Sequence, residues 1–143
     1  MAQLGTIVGI EKVIGNLRRR EKVMSSGVER GLKLAGLHLQ RASQQRVPVD
    51  LGNLKASAFT RARGKGFRTE VNIGYTAHYA LHVHELTAMK LKGLPRTGKR
   101  ADGSKRRGFY WDPQGKGSAK FLEIPGQLEA KAMRAIIRKW AKI

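Results

Sequence analysis

Pro48, in the run RVPVDLGNLKAS, divides this chain into two regimes of hydrophobic patterning. Proline removes a backbone donor and disfavours α conformation at the residue before it, so a helix arriving from the N-terminal side must stop near Val47. Upstream, apolar residues return every three or four positions. Downstream, they begin to alternate.

The upstream part reads as two helices. In GIEKVIGNLRRREKV, Ile10, Val13, Ile14 and Leu17 share one side and the end is basic, as helix C-termini favour. After SSG a longer helix is expected over residues 28–45, with Val28, Leu32, Ala35, Leu39 and Ala42 on one stripe and Glu29, Arg30, Lys33, Gln40 and Arg41 largely elsewhere. Gly27, Gly31 and Gly36 each weaken a helix by up to ~1 kcal/mol relative to alanine, so either a close neighbour or a tolerated loss explains them.

Beyond Pro48, VPVDLGNLKAS reads as a turn in which Asp50 accepts from the amides of Gly52 or Asn53 and Gly52 takes a positive φ. SAFTRARGKGFRTEVNIG is a predicted hairpin, with strands near 56–63 and 67–73 joined at GKG. HYALHVHE, residues 78–85, is expected to be a third strand, antiparallel because the connections are too short for crossovers. Phe121, Leu122 and Ile124 form a short buried segment, and Pro125 stands where a last helix can begin. That helix carries Leu128, Ala132, Ile136 and Trp140 on one stripe, widened by Met133, Ile137 and Ile143, opposite Lys131, Arg134, Arg138 and Lys142. The expectation is one α+β domain over 1–143: a helical part at 8–45, strands at 46–86, a long basic loop at 87–118, and a short strand with a C-terminal helix at 119–143. Helices pack on an antiparallel sheet of about four strands.

The 143 residues are 41% hydrophobic, enough for one modest core. With no cysteine, disulfides, thiolate metal sites and cysteine nucleophiles are excluded. No apolar run is long enough to span a bilayer, and MAQLGTIVGI lacks the basic flank and apolar core of a secretion signal, so neither membrane insertion nor export is expected. Charge is the strongest compositional constraint: 29 Lys and Arg against 10 Asp and Glu leave +19, which calls for a polyanion or an acidic neighbour. Residues 87–118 concentrate it, with nine basic residues, two acidic ones and six glycines in 32 positions. Lys90, Lys92, Arg96, Lys99, Arg100, Lys105, Arg106, Arg107 and Lys116 would neutralise phosphates without reading bases, or pair with an acidic protein partner.

Three of the four histidines fall within residues 78–85. On a strand, His78, Ala80, His82 and His84 share one face and Glu85 turns to the other; His82 and His84 are about 6.6 Å apart, and His78 is about 13 Å from His82. With no cysteine to complete a site, a polar sheet face is favoured over a metal centre. No G-x-S-x-G element, no paired carboxylates and no phosphate loop are present, so neither an enzyme nor a cofactor is expected.

RVPVDLGNLKAS, VNIGYTAHYALHVHE and GSAKFLE, in that order, resemble the tail-completion or head-to-tail joining proteins of long-tailed bacteriophages, the minor capsid family of gene-product-ten type. In that family a helical N-terminus leads to P-V-D-T-G-N-L-R-x-S, a strand pair, Y-A-x-x-V-H-E, a variable insertion, K-F-L-E and a C-terminal helix. Pro48, Asp50, Gly52, Asn53, Leu54 and Ser57 match the first element, with Leu51 where threonine is usual. Tyr79, Ala80, Val83, His84 and Glu85 match the second, and Lys120, Phe121, Leu122 and Glu123 the third. The resemblance implies a structural virion protein of the neck, present in the host cytoplasm during assembly. Subunits would form a ring, commonly six-fold, joining the head connector or adaptor to the tail tube or tail terminator, with genomic double-stranded DNA passing through. It also implies interface or structural roles for the motif residues, His84 and Glu85 among them through hydrogen bonds. The alternatives are a nucleic-acid-binding protein without sequence preference and, behind it, a histidine-metal hydrolase.

Overall fold

The computed structural model describes residues 9–49, 51–87, 101–104 and 117–141. Asp50 and all nine cations of the basic loop lie outside the described residues, as do Lys142 and Ile143. In chain order the elements are α1 (Ile10–Gln44), α2 (Asn53–Ala56), β1 (Ala58–Arg63), a 3-10 turn (Gly66–Arg68), β2 (Glu70–Tyr75), α3 (Ala80–Glu85), α4 (Glu123–Leu128) and α5 (Ala130–Ala141). The chain is α+β, as expected, but the described sheet has two strands rather than four.

Where two helices were expected, α1 runs unbroken through SSG for 35 residues. The hydroxyls of Ser25 and Ser26 fold back to donate to the carbonyls of Lys22 and Val23, at 3.1 and 2.9 Å, so neither interrupts the backbone ladder. Gly27 lies where the last turn of α5 presses its Trp140 carbonyl against α1, and at Gly31 a side chain would meet the Ile137 Cα at 3.0 Å. These glycines therefore mark close helix approach. The two helices run antiparallel, from Trp140 beside Gly27 to a hydrogen bond of 2.8 Å donated by His38 Nε2 to Glu129. Arg30 adds its guanidinium over the Trp140 ring at 4.0 Å.

The hairpin packs on an adjoining side of α1. Its register pairs Thr60 with Ile73 and Ala62 with Val71, and a Cβ at Gly36 would meet Val71 Cγ1 at 2.6 Å and Thr60 Cγ2 at 3.1 Å. Thr60 donates to Gln40 at 2.6 Å, while Glu29 accepts from the Gly66 amide at 3.1 Å, so both ends of the hairpin are tied to the helix. Lys33 first and the Gly66 amide second hold the Glu29 carboxyl below its usual range. Gly64 and Gly66 take positive φ of 77° and 57°, as the GKG turn requires, but the 3-10 turn delays β2 to Glu70.

HYALHVHE is the larger departure. Residues 80–85 form a helix, entered through Ala80 N–H to Ala77 at 2.9 Å and Val83 N–H to Tyr79 at 3.1 Å. A third strand would need a hairpin between Tyr75 and His78, and TAH contains no Gly, Pro, Asn or Asp to make one. Tyr79 with Val83, and Ala80 with His84, also satisfy helical spacing, so the alternation of apolar and polar residues here fits either period. The Phe121–Leu122 segment, expected to be a short strand, is instead a turn leading into α4, with Pro125 buried inside it. Leu128 does not join the α5 stripe but stands 62% exposed, because the chain breaks at Glu129 between the two helices.

Gly27→Ala should gain helix propensity yet force α5 away. Overpacking of about 1–3 kcal/mol exceeds a propensity gain of up to ~1 kcal/mol, so denaturant unfolding is expected to show a net loss. Gly15→Ala, at a position with open space around it, should stabilise instead.

Candidate functional site

The three motifs meet around one side chain. Phe121 is 1% exposed and packs in a cluster with Val47, Leu54 and Ala80, flanked by half-buried Tyr75, Ala77, Tyr79, Val83 and Leu122. The Tyr75 and His84 rings stand edge-on to it at 5.1 and 4.9 Å, with interplanar angles of 85° and 84°. Tyr75 in turn shares a hydrogen bond of 2.6 Å with Ser43, a fully buried serine of α1, and burial pushes its hydroxyl above the ordinary tyrosine range.

The first motif reaches this cluster by a left-handed step. Pro48 is buried in the segment that follows α1, Gly52 takes φ 84°, and α2 then delivers Leu54 at 5% exposure. Asn53 is exposed at the start of α2. The Ser57 hydroxyl closes α2 on the Leu54 carbonyl at 2.8 Å, and the Ser57 carbonyl accepts from Thr76 N–H at 3.0 Å, joining the motif to the end of β2. From the other side, Ser118 N–H donates to the Arg46 carbonyl at 2.9 Å, and Gly117 lies close against Pro48.

The second and third motifs are locked by Lys120. Its φ of 54° is the one positive value at a non-glycine residue among those described. Its N–H donates to the His84 carbonyl at 2.8 Å, and its ammonium reaches Glu85 at 2.6 Å and Glu123 at 3.1 Å. His84 Nδ1 donates to Glu85 at 2.8 Å. Lys120 and then His84 hold the Glu85 carboxyl below its usual range, and Glu85 and then Glu123 raise the Lys120 ammonium. Glu85 thus does not turn away from the histidines, because on a helix, unlike a strand, successive residues are only about 100° apart. His78 and His82 are exposed, His78 lying edge-on to Tyr79 at 5.1 Å. Among the described residues no three His, Asp or Glu side chains are grouped to hold a metal ion.

Two shallow clefts flank α3. One of about 230 Å³ is lined by Pro48, Leu51, Gly52, Asn53, Leu54, Tyr79 and Val83. The other, of about 290 Å³, is lined by Tyr75, Ala80, Leu81, His84, Glu85, Phe121 and Leu122. Leu51 and Leu81 stand 77% and 73% exposed at these clefts, so apolar surface from the motifs is offered outward. These clefts offer apolar floors beside a cluster in which one ammonium, Lys120, faces two carboxylates, Glu85 and Glu123. Sequence reasoning missed Ser43 and Tyr75 as organisers, since they act on each other across 32 positions, and it placed Lys120 in the third motif without its partners Glu85 and His84, 35 and 36 positions away. Comparison with protein-family models, with curated proteins and with solved structures finds no match. Among the described residues no helix is long and apolar enough to cross a membrane.

Phe121→Ala removes the common contact of all three motifs and should lower unfolding free energy by about 3–5 kcal/mol in denaturant titration. The ion-pair cluster has its own signature. A carboxyl with a lowered value stabilises above the ordinary carboxylate range and loses that contribution as pH falls through its lowered value; an ammonium with a raised value loses its contribution only as pH rises through that value. The melting difference between the wild type and Glu85→Gln should therefore stay constant between about pH 6 and 9 and shrink below about pH 4.

Proposed function

We propose that this chain is a structural subunit of a tailed-bacteriophage neck, assembling into a ring, most naturally six-fold, that joins the head connector or adaptor to the tail tube or terminator around the DNA channel. Its work is assembly, and no residue is assigned a catalytic role. The observation that carries this reading is the convergence of PVDLGNL, YALHVHE and KFLE on Phe121, which leaves Leu51 and Leu81 facing outward from a body rigidified by Lys120 and Glu85. Motif residues spent on a rigid platform with apolar surface suit a protein whose partners are other proteins. The +19 charge suits a position beside DNA or acidic neighbours, with the loop cations from Lys90 to Lys116 as the contacts in this reading.

The charge equally favours a nucleic-acid-binding protein without sequence preference, and one experiment separates the two. Mass photometry and particle imaging of the purified chain, alone and with connector and tail proteins, should give closed rings with a single symmetry. A chain that stays monomeric in every mixture, yet binds a short duplex tightly, points to the second reading. In that case replacing Lys105, Arg106 and Arg107 with Gln should flatten the slope of log affinity against log salt by about 2–3.

A further inference from the structure

Two basic stretches far apart in sequence meet where the tip of the hairpin touches α1. A Cβ at Gly66 would lie 3.1 Å from Ser25, and Glu29 binds the Gly66 amide, so RARGKGFR, residues 61–68, points along α1 toward its first turns. Gly36, Glu29 and Ser25 mark the line of α1 that faces the hairpin. Lys22 and Arg18 stand three and seven residues before Ser25, so the same line carries them beyond the tip. The hairpin adds Arg61, Arg63, Lys65 and Arg68, and RARGKGFR contains no acid. All six cations are exposed, and among the described residues none is in an ion pair. Two acids border them, Glu70 opposite Arg63 in the strand register and Glu21 on the flank of α1. Glu29, beneath the tip, is already taken by Lys33 and the Gly66 amide.

The hairpin holds part of this surface in a set geometry. Thr60 and Val71 meet Gly36 on its inner side, so alternation puts Phe59, Arg61 and Arg63 on its outer side. There Phe59 lies across Gly74, where a Cβ would meet the ring at 3.1 Å, and the Arg61 guanidinium sits over that ring at 5.0 Å. Phe67 stands 55% exposed at the tip, among the cations. From Gly36, beside Thr60, to Arg18 is 18 residues of α1. That is about 27 Å, a length over which duplex DNA presents roughly 16 phosphate charges. Four of the six cations are arginine, whose planar fork matches phosphate oxygens. The core of a protein–protein contact is depleted of charge, whereas a DNA-binding face is strongly positive, and this surface is of the second kind.

We infer that this surface is a duplex-DNA site, in which Arg18, Lys22, Arg61, Arg63, Lys65 and Arg68 hold the phosphate backbone without reading sequence and Phe67 lies against the sugars. The inference rests on DNA standing beside this chain in both readings above. It gives the folded body a contact of its own, apart from the loop cations.

The test is a salt titration of the full-length chain binding a short labelled duplex of mixed sequence, read by fluorescence anisotropy. Replacing Arg61, Arg63, Lys65 and Arg68 together with Gln should flatten the slope of log affinity against log salt by about 3–4, and Arg18→Gln with Lys22→Gln by about 2. Lys131, Arg134, Arg138 and Lys139 of α5 are exposed as well, and replacing those four with Gln makes the same change in net charge elsewhere. That control should flatten the slope by less than about 1. All three variants should keep the wild-type far-UV circular dichroism. Equal flattening by the hairpin variant and the α5 control would mean that charge acts from anywhere, and it overturns the inference. So does a slope that neither the hairpin nor the α1 variant alters, which leaves DNA to the loop. A wild type that binds a poly-glutamate peptide but no duplex overturns it in favour of an acidic protein partner. Mass photometry of the same variants keeps the ring question separate: rings lost in the hairpin variant while duplex binding persists would make the surface a subunit contact. A monomeric wild type that binds duplex through the hairpin removes the ring and leaves this inference standing.

Discussion

The close approach of α5 to α1 at Gly27 and Gly31 is the interaction on which the rest of the fold depends. Without side chains there, the last turns of α5 can settle against the α1 backbone, and the dispersion energy of that close packing offsets the propensity lost by placing glycine in a helix. Gly36, farther along, does the same for the hairpin by admitting Val71 and Thr60. One long helix therefore serves as the spine for two different layers, and its register is held by polar pairs at defined heights: Glu29 to Gly66, Gln40 to Thr60, and His38 to Glu129.

At the far end of that spine the core changes character. Phe121 replaces backbone proximity with aromatic contact, and segments distant in sequence are gathered because Tyr75 and His84 both present ring edges to it. Lys120 adopts a left-handed conformation that an ordinary residue avoids, and its bonds to the His84 carbonyl, Glu85 and Glu123 hold it there. The result is a well-braced platform at one end of α1, while at the other Ile10, Val13 and Leu17 stand largely exposed.

Much of the architecture was legible in the residues. The α+β class, the end of α1 near Pro48, the glycine turn of the hairpin and the inward stripe of Val28, Ala35 and Leu39 follow from spacing and from the conformational limits of proline and glycine. The site was legible only in part, as a set of motifs whose residues do come together. Its organisers were less so, since Ser43 and Tyr75 are inconspicuous until they hydrogen-bond, and Lys120 was visible as a motif residue but not as the partner of Glu85.

Local chemistry sets which segments can be helical or extended, where turns must fall, and how much charge the surface has to carry, because those depend on neighbouring residues and on totals. Long-range packing settled the remaining ambiguities. SSG continues a helix because α5 lies against Gly27, and HYALHVHE becomes a helix because its Ala80 and His84 side then faces Phe121. The first stretch was compatible with a break or a continuous helix and the second with two periods, and an energy difference that small is decided by what arrives from elsewhere in the chain to cover one face.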